Sequence, residues 1–332
     1  MSGKYFLIAA LNLVFSSAIT FLTVPLVDRL GRNYGFVDIP NDRKLKKESL
    51  TRIGGLAMIG GFSTVILINY LYFSESFNRE ISFFPVLLLC TIFIFIVGLV
   101  DDKNNISPWP RLSLQFIISS IIWIQGIRID SLDFSFLSNN FGYVEIPYFL
   151  SFLFTIFWIT AIINALNWID GLDGLATGIS IICSLTFLIK SFITFEPSLI
   201  LLSSAILGSC IGFLKYNFFP SKIFMGDCGS YFLGFNLSLF TIIGSNTNLQ
   251  VINNSISGKI FNLPMSLLFL FIPITDMTVV IFSRILKGKS PFFPDNTHFH
   301  HRLLLAGFNQ KSTAIFIYSI SIFASILGFV FI

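Results

Sequence analysis

The amino-acid sequence predicts an all-α polytopic membrane protein, a bundle of about ten transmembrane helices with both termini outside and the active-site loops in the cytoplasm. Three observations carry that expectation. The chain is 54% hydrophobic and only 11% charged, where a soluble domain carries about a quarter charged residues. Its apolar runs are long enough to cross a bilayer. Its basic residues are sorted by loop. The whole chain, 1–332, reads as a single integral membrane domain. A net charge of +4 is too small and too local to argue for nucleic acid. Cys90, Cys183, Cys210 and Cys228 show neither metal-knuckle nor disulfide spacing. Lys4 and the apolar run after it lack a small-residue cleavage site, so the N-terminus reads as a retained first helix.

Taken in order, the candidate spans are 5–27, 53–73, 81–100, 112–127, 148–166, 174–194, 199–217, 229–247, 261–284 and 313–331. The fourth is the shortest, and its continuation into Arg128 and Asp130 suggests a tilted or short helix. Ten spans divide the loops into two sets. Loops 28–52, 101–111, 167–173, 215–228 and 284–312 hold sixteen of the 21 Lys and Arg. The other set holds five: Lys4, Arg79, Arg128, Lys190 and Lys259. This imbalance assigns the first set to the cytoplasm, and one missed helix would mix the two sets. On the outer side, 128–147 reads as a short hairpin and 248–260 as solvated coil.

The polar chemistry gathers in the cytoplasmic set. The first loop reads D-I-P-N-D-R-K-L-K-K-E-S-L-T-R-I-G-G. Lys44 and Lys46 there are candidate phosphate ligands, though a basic inner loop alone also satisfies the charge rule for orientation. Gly54 and Gly55 open the second helix, whose N-terminal amides favour an anion. The third helix ends in L-V-D-D. Asp101 and Asp102 sit where the helix dipole disfavours negative charge, so a cation or a proton is expected beside them. Two hard oxygen donors suit Mg²⁺, and crowded carboxylates also suit a general base.

Between the fifth and sixth helices runs N-A-L-N-W-I-D-G-L-D-G-L. Asn164, Asn167, Asp170 and Asp173 recur every three residues, which on a helix places neighbours on one face. Polar groups at a membrane boundary are expensive and usually functional; the plainer alternative is an inter-helix loop with Asp173 as an N-cap. F-M-G-D-C-G-S frames Asp227 with Gly226 and Gly229, a carboxylate aimed at a metal or a phosphate, with Ser230 as a capping residue. The last loop, P-D-N-T-H-F-H-H-R-L, holds every histidine of the chain: His298, His300 and His301. Zinc is disfavoured for want of four spaced ligands. Imidazoles and Arg302 donating to a diphosphate fit better. Asp276, inside the ninth span after Pro273, is either catalytic or paired within the bundle. Together these groups match what phosphoryl transfer needs.

These five motifs in order resemble the polyprenyl-phosphate N-acetylhexosamine-1-phosphate transferases of the glycosyltransferase 4 type. That family includes the enzymes that start O-antigen, common-antigen and teichoic acid synthesis, and the phospho-N-acetylmuramoyl-pentapeptide transferase. The resemblance implies attack of undecaprenyl phosphate on a UDP-N-acetylhexosamine, most simply UDP-GlcNAc. UMP leaves, and a lipid diphosphate-sugar remains in the bacterial plasma (inner) membrane for cell-envelope polysaccharide synthesis. It also implies Mg²⁺, with Mn²⁺ as a substitute, on Asn167 and Asp227. Catalytic roles fall to Asp101, Asp102, Asp170 and Asp173. Substrate contacts fall to Lys44, Lys46, Asn164, His298, His300, His301 and Arg302. The implied partners are the two substrates, membrane lipids and, compatibly, a second copy in a homodimer. The chain departs from many relatives at Asn105, where they carry an acid or Lys, and at Lys46, where common-antigen types carry His. The absence of T-P-T-M-G-G and the form H-F-H-H favour the GlcNAc branch over the muramoyl-pentapeptide branch. A transporter would instead place its polar sites at mid-bilayer on internally repeated helices, and no repeat is visible.

Overall fold

A computed structural model describes residues 2–38, 49–73, 81–133, 143–244, 260–291 and 297–331. The architecture is helical. In chain order it runs α1 (Ser2–Asn33), α2 (Gly55–Phe73), α3 (Phe84–Asn104), α4 (Pro108–Ile124), α5 (Tyr148–Ile169), α6 (Leu175–Ile193), α7 (Pro197–Asn217), α8 (Gly226–Gly244), α9 (Leu263–Phe269), α10 (Phe271–Leu286), α11 (Phe299–Leu305) and α12 (Gln310–Gly328). Seven of these, α1, α2, α3, α5, α6, α7 and α12, are long and apolar enough to cross a membrane. Each of the ten expected segments contains helix over its described residues.

The helix at the centre is α8, buried from Cys228 through Gly244. Its neighbours come close because the contacts are glycines. A Cβ on Gly55 of α2 would collide with the backbone of Gly229, and one on Gly98 of α3 with the Cα of Cys228. Close backbone approach of this kind is how helices gain packing energy where lipid removes the hydrophobic drive. The outer helices turn large side chains outward. Phe6, Leu7, Phe15 and Leu22 on α1 and Phe323 and Ile326 on α12 are exposed, as lipid contact requires. Buried polar groups instead bond between helices: Asn12 of α1 accepts from Asn69 of α2 at 3.0 Å and donates to Ser204 of α7 at 3.2 Å.

The expected ninth span is broken into α9 and α10 at Leu270. Pro273 lacks the N–H that would bond the carbonyl of residue 269. The Cys183 thiol of α6 donates to that freed Phe269 carbonyl at 3.1 Å. The expected hairpin is present: β3 (Ser131–Asp133) pairs antiparallel with β4 (Tyr143–Glu145), register Leu132↔Val144. Its tip, like 245–259, lies outside the described residues. A parallel strand, β5 (Ile260–Phe261), joins β3, so the outer coil ends as sheet. Near the start of the chain, β1 (Val37–Asp38) pairs with β2 (Leu50–Thr51). The amides of Gly54 and Gly55 donate to Phe224 and Met225 carbonyls at 3.0 and 2.9 Å. They are committed to backbone and hold no anion, which corrects that expectation. Gly55 serves the approach to α8, and Gly54 leaves room for the Phe213 ring of α7 and the Phe224 carbonyl.

Candidate active site

The site begins at the N-terminus of α8. Gly226 adopts φ +76, and a Cβ there would collide with the Arg52 carbonyl, so the turn into α8 requires glycine. The first amides of a helix lack intrahelical acceptors. Here a carboxylate from another helix supplies them: Asp102 accepts from Asp227 N at 2.9 Å and Cys228 N at 3.0 Å. The negative charge lies on the positive end of the α8 dipole. Its neighbour Asp101 is buried and takes three donors: Arg111 Nη1 at 3.1 Å, Tyr231 Oη at 2.6 Å and Ile106 N at 2.9 Å. The cation expected beside the pair is thus partly internal, an arginine from α4 and a helix terminus.

The end of α5 meets this point. Asn167 donates through Nδ2 to Asp227 Oδ1 at 2.7 Å and to Ser230 Oγ at 3.0 Å. Its carbonyl oxygen and the second Asp227 oxygen carry no hydrogen bond among the described residues. Asp170 ends the helix as its C-cap. Its carboxyl has no hydrogen-bond partner among the described residues. Burial, then the nearby Asp227 and Asp102, raise its pKa to about 7, against the opposing pull of Arg52. Asp173 accepts from Ser221 N at 3.0 Å and Ser221 Oγ at 2.9 Å, which ties the α5–α6 turn to the α7–α8 segment. It does not cap α6; Gly174, at φ 75, holds that position without a side-chain bond.

Asn164 departs from the expected ladder. It is buried one turn deeper, where it donates to Gln115 Oε1 at 2.7 Å and Thr160 O at 2.8 Å. It faces Gln115 of α4 and has no hydrogen bond to Asp227 among the described residues. Asn164 and Asn167 both lie within α5, and the helix stops at Ile169, before Asp170 and Asp173.

The histidines approach from α10 and α11. Asp276 bonds His298 Nδ1 at 2.7 Å and accepts from Phe299 N at 2.6 Å, so it is paired in the bundle. His300 is 1% exposed, and neither of its ring nitrogens has a partner among the described residues. It packs on the turn at Gly171, where a Cβ would clash with its Nε2. Burial, then His301, lower its pKa to about 3, so it is a neutral donor and acceptor. His301 lies 4.3 Å from it, centroid to centroid. Arg302 is exposed and donates to Thr297 O at 2.9 Å. Lys44 and Lys46 lie outside the described residues.

The structure therefore brings Asp101, Asp102, Asn167, Asp170, Asp173, Asp227 and the histidine segment to one end of the bundle. It adds Arg111, Tyr231 and Ser221, which sequence reasoning had missed as partners, and gives Asp276 the pairing within the bundle that was one of its two expected roles. Each of these bonds spans at least ten residues of sequence, so no spacing rule could pair them. No group of three or more His, Cys, Asp or Glu able to hold a metal by itself occurs among the described residues. Mg²⁺ asks for less, one or two carboxylates completed by water and substrate phosphate.

Comparison with known proteins places this geometry. Residues 84–245, from the start of α3 to the end of α8, match the profile of "Glycosyl transferase family 4". A Bacillus subtilis protein named "Probable undecaprenyl-phosphate N-acetylglucosaminyl 1-phosphate transferase" is 32% identical over 326 residues, covering 96% of this chain and 85% of its own. A Mycobacterium leprae decaprenyl-phosphate N-acetylglucosaminephosphotransferase is 30% identical over 91% of this chain and 78% of its own. The Escherichia coli K12 undecaprenyl-phosphate alpha-N-acetylglucosaminyl 1-phosphate transferase is 27% identical over 87% and 74%. The matched span carries Asp101, Asp102, Asn167, Asp170, Asp173 and Asp227 in the order in which they converge, and the chain belongs to glycosyl transferase family 4.

Proposed function

We propose that this chain transfers GlcNAc-1-phosphate from UDP-GlcNAc to undecaprenyl phosphate. A lipid-phosphate oxygen bonds to the sugar-bearing phosphorus, the bond from that phosphorus to the bridging oxygen breaks, and UMP leaves with that oxygen. One phosphoanhydride replaces another. The observation that carries the reading is the crowding of Asp102, Asp170 and Asp227 at helix ends, with Asp170 left without a partner and raised to about 7. Like charges crowded in this way fit a cationic ligand.

The donor set fits Mg²⁺: the second oxygen of Asp227 and the carbonyl oxygen of Asn167 are hard donors, and water and substrate phosphate would complete the shell. Bound there, the ion would neutralise diphosphate charge during the displacement. The remaining work belongs to side chains. Asp102 and Asn167 fix the position and rotamer of Asp227. Asp101, held by Arg111 and Tyr231, keeps α3 against α8. Asp170 can hold the proton of an incoming lipid phosphate, because its pKa is near the working pH. Neutral His300 donates one ring N–H to a diphosphate oxygen. A largely apolar cleft of about 230 Å³, lined by Phe271, Ile272, Thr275, Val279, Phe299 and Ile320, opens beside Asp276 and Arg302. It suits the first isoprene units of a lipid.

In this reading all ten apolar segments cross the plasma membrane, both termini lie outside, and the carboxylates face the cytoplasm. The sorting of Lys and Arg supports that orientation. The decisive experiment mixes purified protein, undecaprenyl phosphate, Mg²⁺ and a panel of UDP-sugars. UMP release with UDP-GlcNAc is expected, with Mn²⁺ a weaker substitute. Silence across the panel overturns the reading; activity with another sugar only moves the specificity. A Lys46→Cys variant in a cysteine-free background should resist an impermeant thiol reagent on intact cells, and prompt labelling would invert the topology.

A further inference from the structure

We propose that Asp276 is a positioning residue for the histidine segment and acts through His298. A carboxylate inside a membrane bundle is costly unless paired. Among the described residues Asp276 bonds no Lys or Arg; its partners are His298 Nδ1 and Phe299 N, at 2.7 and 2.6 Å. An ionised carboxylate only accepts. The hydrogen therefore sits on His298 Nδ1, which fixes what the ring can do at Nε2. The second oxygen takes the main-chain N–H of the next residue. Two bonds to consecutive residues, one to a ring and one to backbone, set both the place and the rotation of the segment.

The same ring is fixed from α5. Trp168, the neighbour of Asn167, meets His298 edge to face at 6.0 Å and 78°. Trp168 in turn carries the Arg284 guanidinium of α10 at 5.0 Å. His300 lies nearly parallel to His298, at 5.7 Å and 16°. The outcome is an imidazole buried against Gly171, beside Asp170, with both nitrogens unpartnered. A buried polar ring without partners is unfavourable, and it persists here because α10 holds it in place for a ligand. Asp276 thus does for the histidines what Asp102 does for Asp227.

A purely structural anchor predicts something different, and the amide isostere separates the two. In Asp276→Asn the carbonyl can still accept from Phe299 N, so the fold survives. The amide NH₂ now faces His298, which must accept at Nδ1 and carry its proton on Nε2. The chain has three histidines, so ¹⁵N-histidine labelling of tag-free protein gives three rings to assign, with His298→Gln identifying one. A protonated His298 Nδ1 is expected in the wild type and an unprotonated one in Asp276→Asn.

The kinetic arm rests on the proposed transfer. There Asp276→Asn should lower kcat by roughly 10- to 100-fold with KM for UDP-GlcNAc within about two-fold, and Asp276→Glu should recover part of the loss. Asp276→Asn combined with His298→Ala should be no slower than His298→Ala alone. An unprotonated Nδ1 in the wild type, or losses that multiply in the double variant, overturns the proposal. If the wild type releases no UMP at all, the transfer reading falls, and the spectrum still decides the role of Asp276.

Discussion

Lys190 and Asp227 are both charged side chains withdrawn from solvent, at opposite ends of α8. Lys190, 1% exposed, donates to the Gly244 carbonyl at the C-terminus of α8 and to Glu196 Oε1 at 2.6 Å. One cation meets one anion and the negative end of a helix dipole. At the N-terminus the dipole is answered too, by Asp102. There the count does not close among the described residues, because Asp227 and Asp170 add negative charge that Arg52 and Arg111 oppose. The first arrangement holds helices together; the second asks for a ligand. Balance, more than burial, separates the structural end from the chemical one.

The largest test of that contrast is Asp227→Asn. The amide keeps its size and its place beside Asn167 but loses the charge. UMP release should fall about 1,000-fold or more with the melting temperature nearly unchanged. Full turnover in that variant would leave the Asp227 charge without a role in the chemistry.

Asp170 gives the next effect, and one with a sign. Its native pKa of about 7 lies above the ordinary carboxylate value of 3.8. Between those values the native state binds more protons than the unfolded one, so stability falls as pH rises. Metal-free protein should therefore melt at lower temperature at pH 8 than at pH 5. Asp170→Asn should flatten that slope, and Mg²⁺ should reduce it in the wild type alone. A slope indifferent to both changes would mean that Asp170 is not the uncompensated group. Smaller again is His300→Ala, which removes one neutral donor. A loss of roughly 10- to 100-fold in kcat/KM is expected; unchanged kinetics would make the ring mere packing.

Much of this was legible in the sequence for a physical reason. Hydropathy marks every long helix because lipid tolerates little else, and polar residues at helix ends stand out against 54% apolar composition. Hence Asp101, Asp102, Asn167, Asp170, Asp173, Asp227 and the histidines were all visible. What they bond was not. Asp101 is met by Tyr231 and Asp102 by the amide of Asp227, across more than a hundred residues. Asn164 matched the spacing of the motif and bonds Gln115 of α4 one turn below Asn167, because spacing does not say what each position meets. The span 261–284 read as one helix, and only the fold reveals the break at Leu270 and the Cys183 thiol on the carbonyl that Pro273 frees.

The smallest effect on activity belongs to the other end of α8, and it tests the contrast from its structural side. Glu196→Gln removes the anion and leaves Lys190 buried with the Gly244 carbonyl and a neutral amide. Breaking a buried pair by removing one partner costs about 3–5 kcal/mol, so the melting temperature should drop clearly. Because the pair lies at the far end of α8, kcat in the folded fraction should stay within about two-fold of wild type. Adding Lys190→Met should restore much of the lost stability, since an apolar side chain of similar length needs no counter-charge. If Glu196→Gln instead cut kcat while the melting temperature held, the closed pair would be coupled to the chemistry, and charge balance would no longer tell the two ends apart.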